Sequence, residues 1–138
     1  MNKMNTFRYS ICEPINPKII EKGTIDPSEI VNTFENFSWK SHLEDMKNAK
    51  NVYHSPSLEF ENSSNKNALS ISAVGEPDNY EFYVFFKRAK IQKTWFGLSE
   101  KLNNNFISEL RDQNKEETTE ILKALVNSDL VFLERKFQ

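Results

Sequence analysis

One cysteine, three glycines and five prolines stand in this chain of 138 residues, and each scarcity excludes something. A lone thiol, Cys12, rules out an intramolecular disulfide framework. Gly23, Gly75 and Gly97 lie too far apart for a phosphate-cradling G-x-x-x-x-G-K or G-x-G-x-x-G loop. A G-x-S-x-G elbow is missing as well. The only histidines, His42 and His54, form neither H-x-x-x-H nor H-E-x-x-H, so a zinc site has no support and no metal or other cofactor is expected. No apolar run approaches the roughly 20 residues that span a bilayer. Met1-Asn2-Lys3-Met4-Asn5-Thr6 has no apolar h-region, so no secretory leader is expected. Basic excess is absent too. With 18 Lys and Arg against 20 Asp and Glu the net charge is −2, which argues against a general nucleic-acid binder. These exclusions leave a soluble cytoplasmic protein, a single domain over residues 1–138, touching neither membrane nor nucleic acid.

What is present is aromatic. The chain is 38% hydrophobic and 12% aromatic, enough for a real core at a common domain size. Tyr80–Lys87 reads Y-E-F-Y-V-F-F-K, a strong strand signal that is apolar on both faces. Side chains alternate along a strand, so Tyr80, Phe82, Val84 and Phe86 share one side, while Glu81, Tyr83, Phe85 and Lys87 share the other. The first set reads as core. The second places two aromatics where a half-solvated sheet carries polar groups.

Around this strand the pattern implies an α+β fold, an antiparallel meander sheet of about five strands with helices mainly on one face. Phe7–Ile11 alternates as a first strand, and Glu13–Ile25, holding Pro14, Pro17 and Gly23, reads as an irregular connection. Asp26-Pro27 opens a helix carrying Ile30, Val31, Phe34 and Phe37, and Ser38 is placed to cap a second one through Trp39, Leu43 and Met46. Leu58–Glu61, Leu69–Val74 and Tyr80–Lys87 are consecutive strands. Arg88-Ala89-Lys90 reads as a turn before another strand at Gln92–Gly97. Phe106, Ile107 and Leu110 fit a short strand or a helical turn. Thr118 or Thr119 is placed to cap a helix through Asn127, and Leu130–Leu133 reads as a closing strand.

Tight hairpins would align Phe60, Ile71 and Val84 across three strands, then Leu58, Ala73 and Phe82. On the opposite face Glu61, Ser70 and Phe85 would form one row, and Glu59, Ser72 and Tyr83 the next. The following strand would bring Lys93 beside Phe85 and Trp95 beside Tyr83. That second face grades from acidic, through hydroxyls, to an aromatic cluster with lysines. Tyr83, Phe85, Trp95, Lys93, Glu59 and Glu61 are accordingly the candidate partner-binding residues, because aromatics beside charge dominate binding hot spots. The competing expectation is that the C-terminal helix covers the aromatics. Lys87, Arg88 and Lys90 form a weaker candidate for anion binding, against the plainer reading of a charged, soluble hairpin tip. Glu59, Glu61 and Glu81 have no His or Asp to complete a catalytic constellation, so a solvated acidic face is expected there.

The early amphipathic helix, the meander of short strands, and Lys115-Glu116-Glu117-Thr118-Thr119-Glu120-Ile121-Leu122 leading into a helix and final strand loosely resemble small bacterial toxin-immunity proteins. The resemblance lies in element order and carries over no site residue. It implies a non-catalytic inhibitor that binds a toxin as its protein partner. Two other readings stay open. One is a small-molecule-binding domain or unfamiliar enzyme, with a pocket between sheet and C-terminal helix and Glu59, Glu61 or His54 at its rim. The other is a homo-oligomer that uses the second face as its interface.

Overall fold

The computed structural model describes residues 6–94 and 99–138. The elements are β1 (Phe7–Cys12), β2 (Ile20–Ile25), a 3₁₀ turn (Pro27–Glu29), α1 (Ile30–Asn36), α2 (Trp39–Asn48), β3 (Ser57–Asn62), β4 (Ala68–Glu76), β5 (Asn79–Thr94), β6 (Ser99–Gln113), α3 (Lys115–Val126) and α4 (Leu130–Lys136). Six strands form one antiparallel sheet in the order β2-β1-β3-β4-β5-β6. The fold is α+β, and β3 to β6 run as a meander.

The core lies on one side of this sheet. Phe7, Leu58, Phe60, Leu69, Ile71, Ala73, Phe82, Val84 and Phe86 are all buried, and they alternate along their strands as one face requires. Every buried apolar residue of the helices joins the same cluster, including Ile30 and Phe34 from α1, Trp39 and Leu43 from α2, and Ile121, Leu122 and Leu125 from α3. Among the described residues all four helices therefore cover one face, and none packs on the other. The hairpin between β4 and β5 is tight at Gly75, whose φ is +130°. A Cβ there would lie 2.7 Å from the Asn79 carbonyl oxygen, so the position requires glycine.

Several expectations are corrected. The sheet has six strands rather than about five, and Ile20–Ile25 pairs with β1 instead of forming an irregular connection. Its alternation is broken where the register shifts at Tyr9/Ser10, and that shift hid the strand. Arg88-Ala89-Lys90 is not a turn. β5 runs through it to Thr94 with a register shift between Arg88 and Lys90. Phe106, Ile107 and Leu110 lie in the long strand β6.

Leu130–Leu133 begins a helix rather than a closing strand. Asp129 accepts a hydrogen bond from the Phe132 amide at 3.1 Å and so caps it. Leu133 and Phe137, four residues apart, point into the core while Val131 is 70% exposed, a helical period and not an alternating one. α2 starts after Ser38, but no side-chain hydrogen bond from Ser38 caps it.

The cap of α3 is Asn114, not Thr118 or Thr119. Its Oδ1 accepts from the Glu117 amide at 2.8 Å, and Glu117 Oε1 accepts from the Asn114 amide at 3.1 Å, a reciprocal capping box. Removing this cap with Asn114→Ala is expected to cost about 1 kcal/mol in urea unfolding, while Thr119→Ala on the same helix stays within about 0.5 kcal/mol. Equal losses from the two variants would overturn the assignment of the cap.

Candidate functional site

Strand alternation and the pairing register determine the helix-free face. β4 and β5 pair as the hairpin geometry implies, with Ser70 opposite Phe85 and Ser72 opposite Tyr83. β3 and β4 are offset by two residues from the expected rows, since Phe60 meets Leu69 and Leu58 meets Ile71. A shift of two keeps every residue on its face but changes its neighbours. Glu59 is therefore in the row of Ser70 and Phe85, and Glu61 in the row of Ala68 and Lys87.

Read across the sheet, this face changes character. Glu21 and Ser10 on the first two strands flank Glu59, and Arg8 faces Glu61. The hydroxyls of Ser57, Ser70 and Ser72 come next. Tyr83 and Phe85, both half-buried, form a ridge on β5, and β6 adds Ile107 opposite Lys87 and Glu109 opposite Phe85. Both ends of the ridge are charged. Lys87 Nζ lies 4.0 Å from Glu61 Oε2, and the stems of these two residues flank the buried Ala68. At the other end the Arg111 guanidinium sits 5.7 Å from the Tyr83 ring centroid and 2.6 Å from Glu109. Beyond it the carboxyl of Glu81 is raised from its ordinary value, first by its hydrogen bond with Asp112, then by burial and the nearby negative charge.

The structure thus brings Tyr83, Phe85, Glu59 and Glu61 together on one surface. Lys93 does not join them. It pairs with Glu100 on the part of the β5–β6 hairpin that extends past the last β4 partner, Lys87. Trp95 lies outside the described residues. On the extended hairpin Ile91 and Leu102 pair with each other and are each more than half exposed. Ile107 was missed as a surface residue because the sequence pattern around it reads equally as a helical turn. The C-terminal helices pack on the far side, so Glu59 and Glu61 cannot rim a pocket beneath them. His54 belongs to the segment between α2 and β3, with a buried Nε2 that has no hydrogen-bond partner among the described residues. His42 stacks on Phe37 at 4.9 Å. Among the described residues no group of three His, Cys, Asp or Glu is arranged to hold a metal, and no helix is long and apolar enough to cross a membrane.

The basic candidates point in different directions. Lys87 faces the open side, whereas Arg88 is 5% exposed on the helix side. Its Nε and Nη2 donate to Glu134 Oε1 and Oε2 at 2.7 and 3.0 Å, and its Nη1 donates to Ser108 Oγ at 2.8 Å and to the Phe86 carbonyl at 3.2 Å. The guanidinium also sits 4.5 and 4.8 Å from the Phe86 and Phe106 ring centroids. Lys90 Nζ adds a longer contact to Glu134 at 3.5 Å. Arg88 is thus a structural clamp between the hairpin and α4, with its donors already engaged. Comparison with known protein families, curated proteins and solved structures found no match to this chain.

The clamp makes stability depend on pH. The hydrogen bond from Arg88 holds the Glu134 carboxyl below its ordinary value of 4.5, burial opposes this, and the charges of Arg88 and Lys90 reinforce it. A carboxyl depressed in the folded state stabilises fully above its unfolded pKa and loses that contribution as pH falls through the folded value. Glu134→Gln is therefore expected to flatten the loss of stability on acidification below the ordinary carboxylate range. At pH 7, Glu134→Ala should cost about 1–2 kcal/mol, a figure discounted because the Glu134 side chain is 40% exposed. Urea unfolding at a series of pH values measures both effects, and parallel curves for wild type and Glu134→Gln would refute the clamp.

Proposed function

We propose that this protein is a non-catalytic protein-binding module, an inhibitor of the toxin-immunity type, that engages its partner through the helix-free sheet face. The observation that supports this reading is the pair Tyr83 and Phe85, an aromatic ridge on a face that no helix covers among the described residues. A rigid sheet holds both rings in register, so they anchor a partner at little cost in conformational entropy. The partner that fits is a basic protein surface. Glu21, Glu59, Glu61, Glu81 and Glu109 outnumber Arg8, Lys87 and Arg111 on this face. An incoming arginine would find carboxylates on β3 and ring faces on β5. The proposed setting is the cytoplasm, where the single thiol stays reduced.

A second reading is a homo-oligomer through the same face. It is favoured by the exposed Ile107 beside Lys87 and the exposed pair Ile91 and Leu102 on the extended hairpin, which add apolar surface on β5 and β6. Size-exclusion chromatography with light scattering separates the two readings. A concentration-independent monomer mass removes the oligomer.

The binding reading predicts that tagged protein captures a basic partner and releases it at high salt. Titration of the purified partner should then show Tyr83→Ala/Phe85→Ala weakening binding by about 30-fold or more, with the circular dichroism spectrum of the variant unchanged. Unaltered affinity in the folded double variant would sink the surface.

A further inference from the structure

We propose a second and separate site, a small-molecule pocket for a zwitterion with an apolar ring, in chemical class an apolar α-amino acid, at the open end of the core. A recess of about 230 Å³ lies between α1, the start of α2, β5 and the first turn of α3. That is room for about eight waters, or a single ring with a short charged head. Its floor is Phe34, Trp39 and Phe82, buried and packed edge to face, with Phe82 lying 5.0 Å from Phe34 and 5.1 Å from Trp39. Its walls are the half-buried Phe37, 4.5 Å from Trp39, and Tyr80, 5.7 Å from Phe82. The indole N–H donates to the Phe34 carbonyl at 3.0 Å, so the floor offers ring surface and no free donor. Water against that ring-lined floor is poorly bonded, and an apolar ring displaces it favourably.

Polar chemistry comes from Glu35, Asn114 and Lys115 in the lining, and Glu35 and Lys115 carry opposite charge. Glu35 comes from α1 and Lys115 from the first position of α3, and neither has an ion pair or side-chain hydrogen bond among the described residues. Lys115 sits at the positive end of a 12-residue helix. A ligand carboxylate therefore belongs on Lys115, its ammonium on Glu35, and its ring between Phe37 and Tyr80. A singly charged ligand would satisfy only one rim group. This site lies on the helix side of the sheet, opposite Tyr83 and Phe85, and stands or falls independently of the partner surface.

Isothermal titration of the intact protein with L-phenylalanine, 3-phenylpropionate, 2-phenylethylamine and glycine tests this. L-Phenylalanine should saturate one site with a dissociation constant of about 1 mM or below. The two singly charged analogues should bind at least about fivefold more weakly, and glycine should not bind. Lys115→Met should erase the advantage over 2-phenylethylamine, and Glu35→Gln the advantage over 3-phenylpropionate. Both residues are exposed, so neither substitution threatens the fold. No saturable binding up to about 10 mM, or preferences unchanged in the two variants, would overturn the site.

Discussion

Phe82 is where the parts of this fold meet. Phe34 and Trp39 set their rings against it from the helix layer, Tyr80 from its own strand, and Ala73 across the sheet leaves room for them. Aromatic contacts of this kind fix orientation as well as burying area. Once Phe82 points inward, Val84 and Phe86 must do so too, and Glu81, Tyr83, Phe85 and Lys87 must point outward. A slip of one residue would send the core ring into water and the outward set under the helices. The character of the open face is thus a consequence of how tightly the inner face of a single strand is held.

Much of this was legible because β5 is so strongly patterned. Its alternation, the rows it makes with β4, and the α1 stripe of Ile30 and Phe34 follow from periodicity alone. What escaped was set by contacts between distant segments. β2 carries a register shift that spoils the period-two signal, so only its pairing with β1 reveals it. Leu130–Leu133 has strand-like composition, yet the pocket left by α3 and Phe86 accepts Leu133 and Phe137, and tertiary burial overrides local preference. Asn114 and Glu117 did give a local signal, the reciprocal cap, but the threonines that follow drew the reading away from it. On the open face the two-residue offset between β3 and β4 was invisible because both registers keep the same residues outward.

Arg88 shows the limit most clearly. In sequence it belongs to a run of Lys87, Arg88 and Lys90, which reads as a soluble turn. In the fold it is buried, and the carboxylate that makes burial tolerable lies 46 residues away. A buried guanidinium is costly unless its donors are engaged, and Glu134, Ser108 and the Phe86 carbonyl engage them. The clamp couples α4 to the base of the long β5–β6 hairpin, so the last helix and the outer strand hold each other in place.

The open face has no need of aromatics for its own solubility. A fold of one sheet and one helix layer leaves one side of the sheet to water, and serines with paired charges would serve that side throughout, as Ser57, Ser70, Ser72 and the Glu61–Lys87 pair do. Tyr and Phe favour strands, but facing Ser70 and Ser72 they gain little from cross-strand packing. Their surroundings matter more. The Tyr83–Phe85 pair is closed by Lys87 and Glu61 at one end and by Arg111 at the other, with Glu109 and the exposed Ile107 beside it on β6. A broad apolar patch adheres to anything, whereas a small aromatic pair with a charge at each end would accept a partner in few orientations, since misplacement sets like charge against like. That selectivity is the argument for the proposed recognition role, which leaves the folded core on the other side untouched.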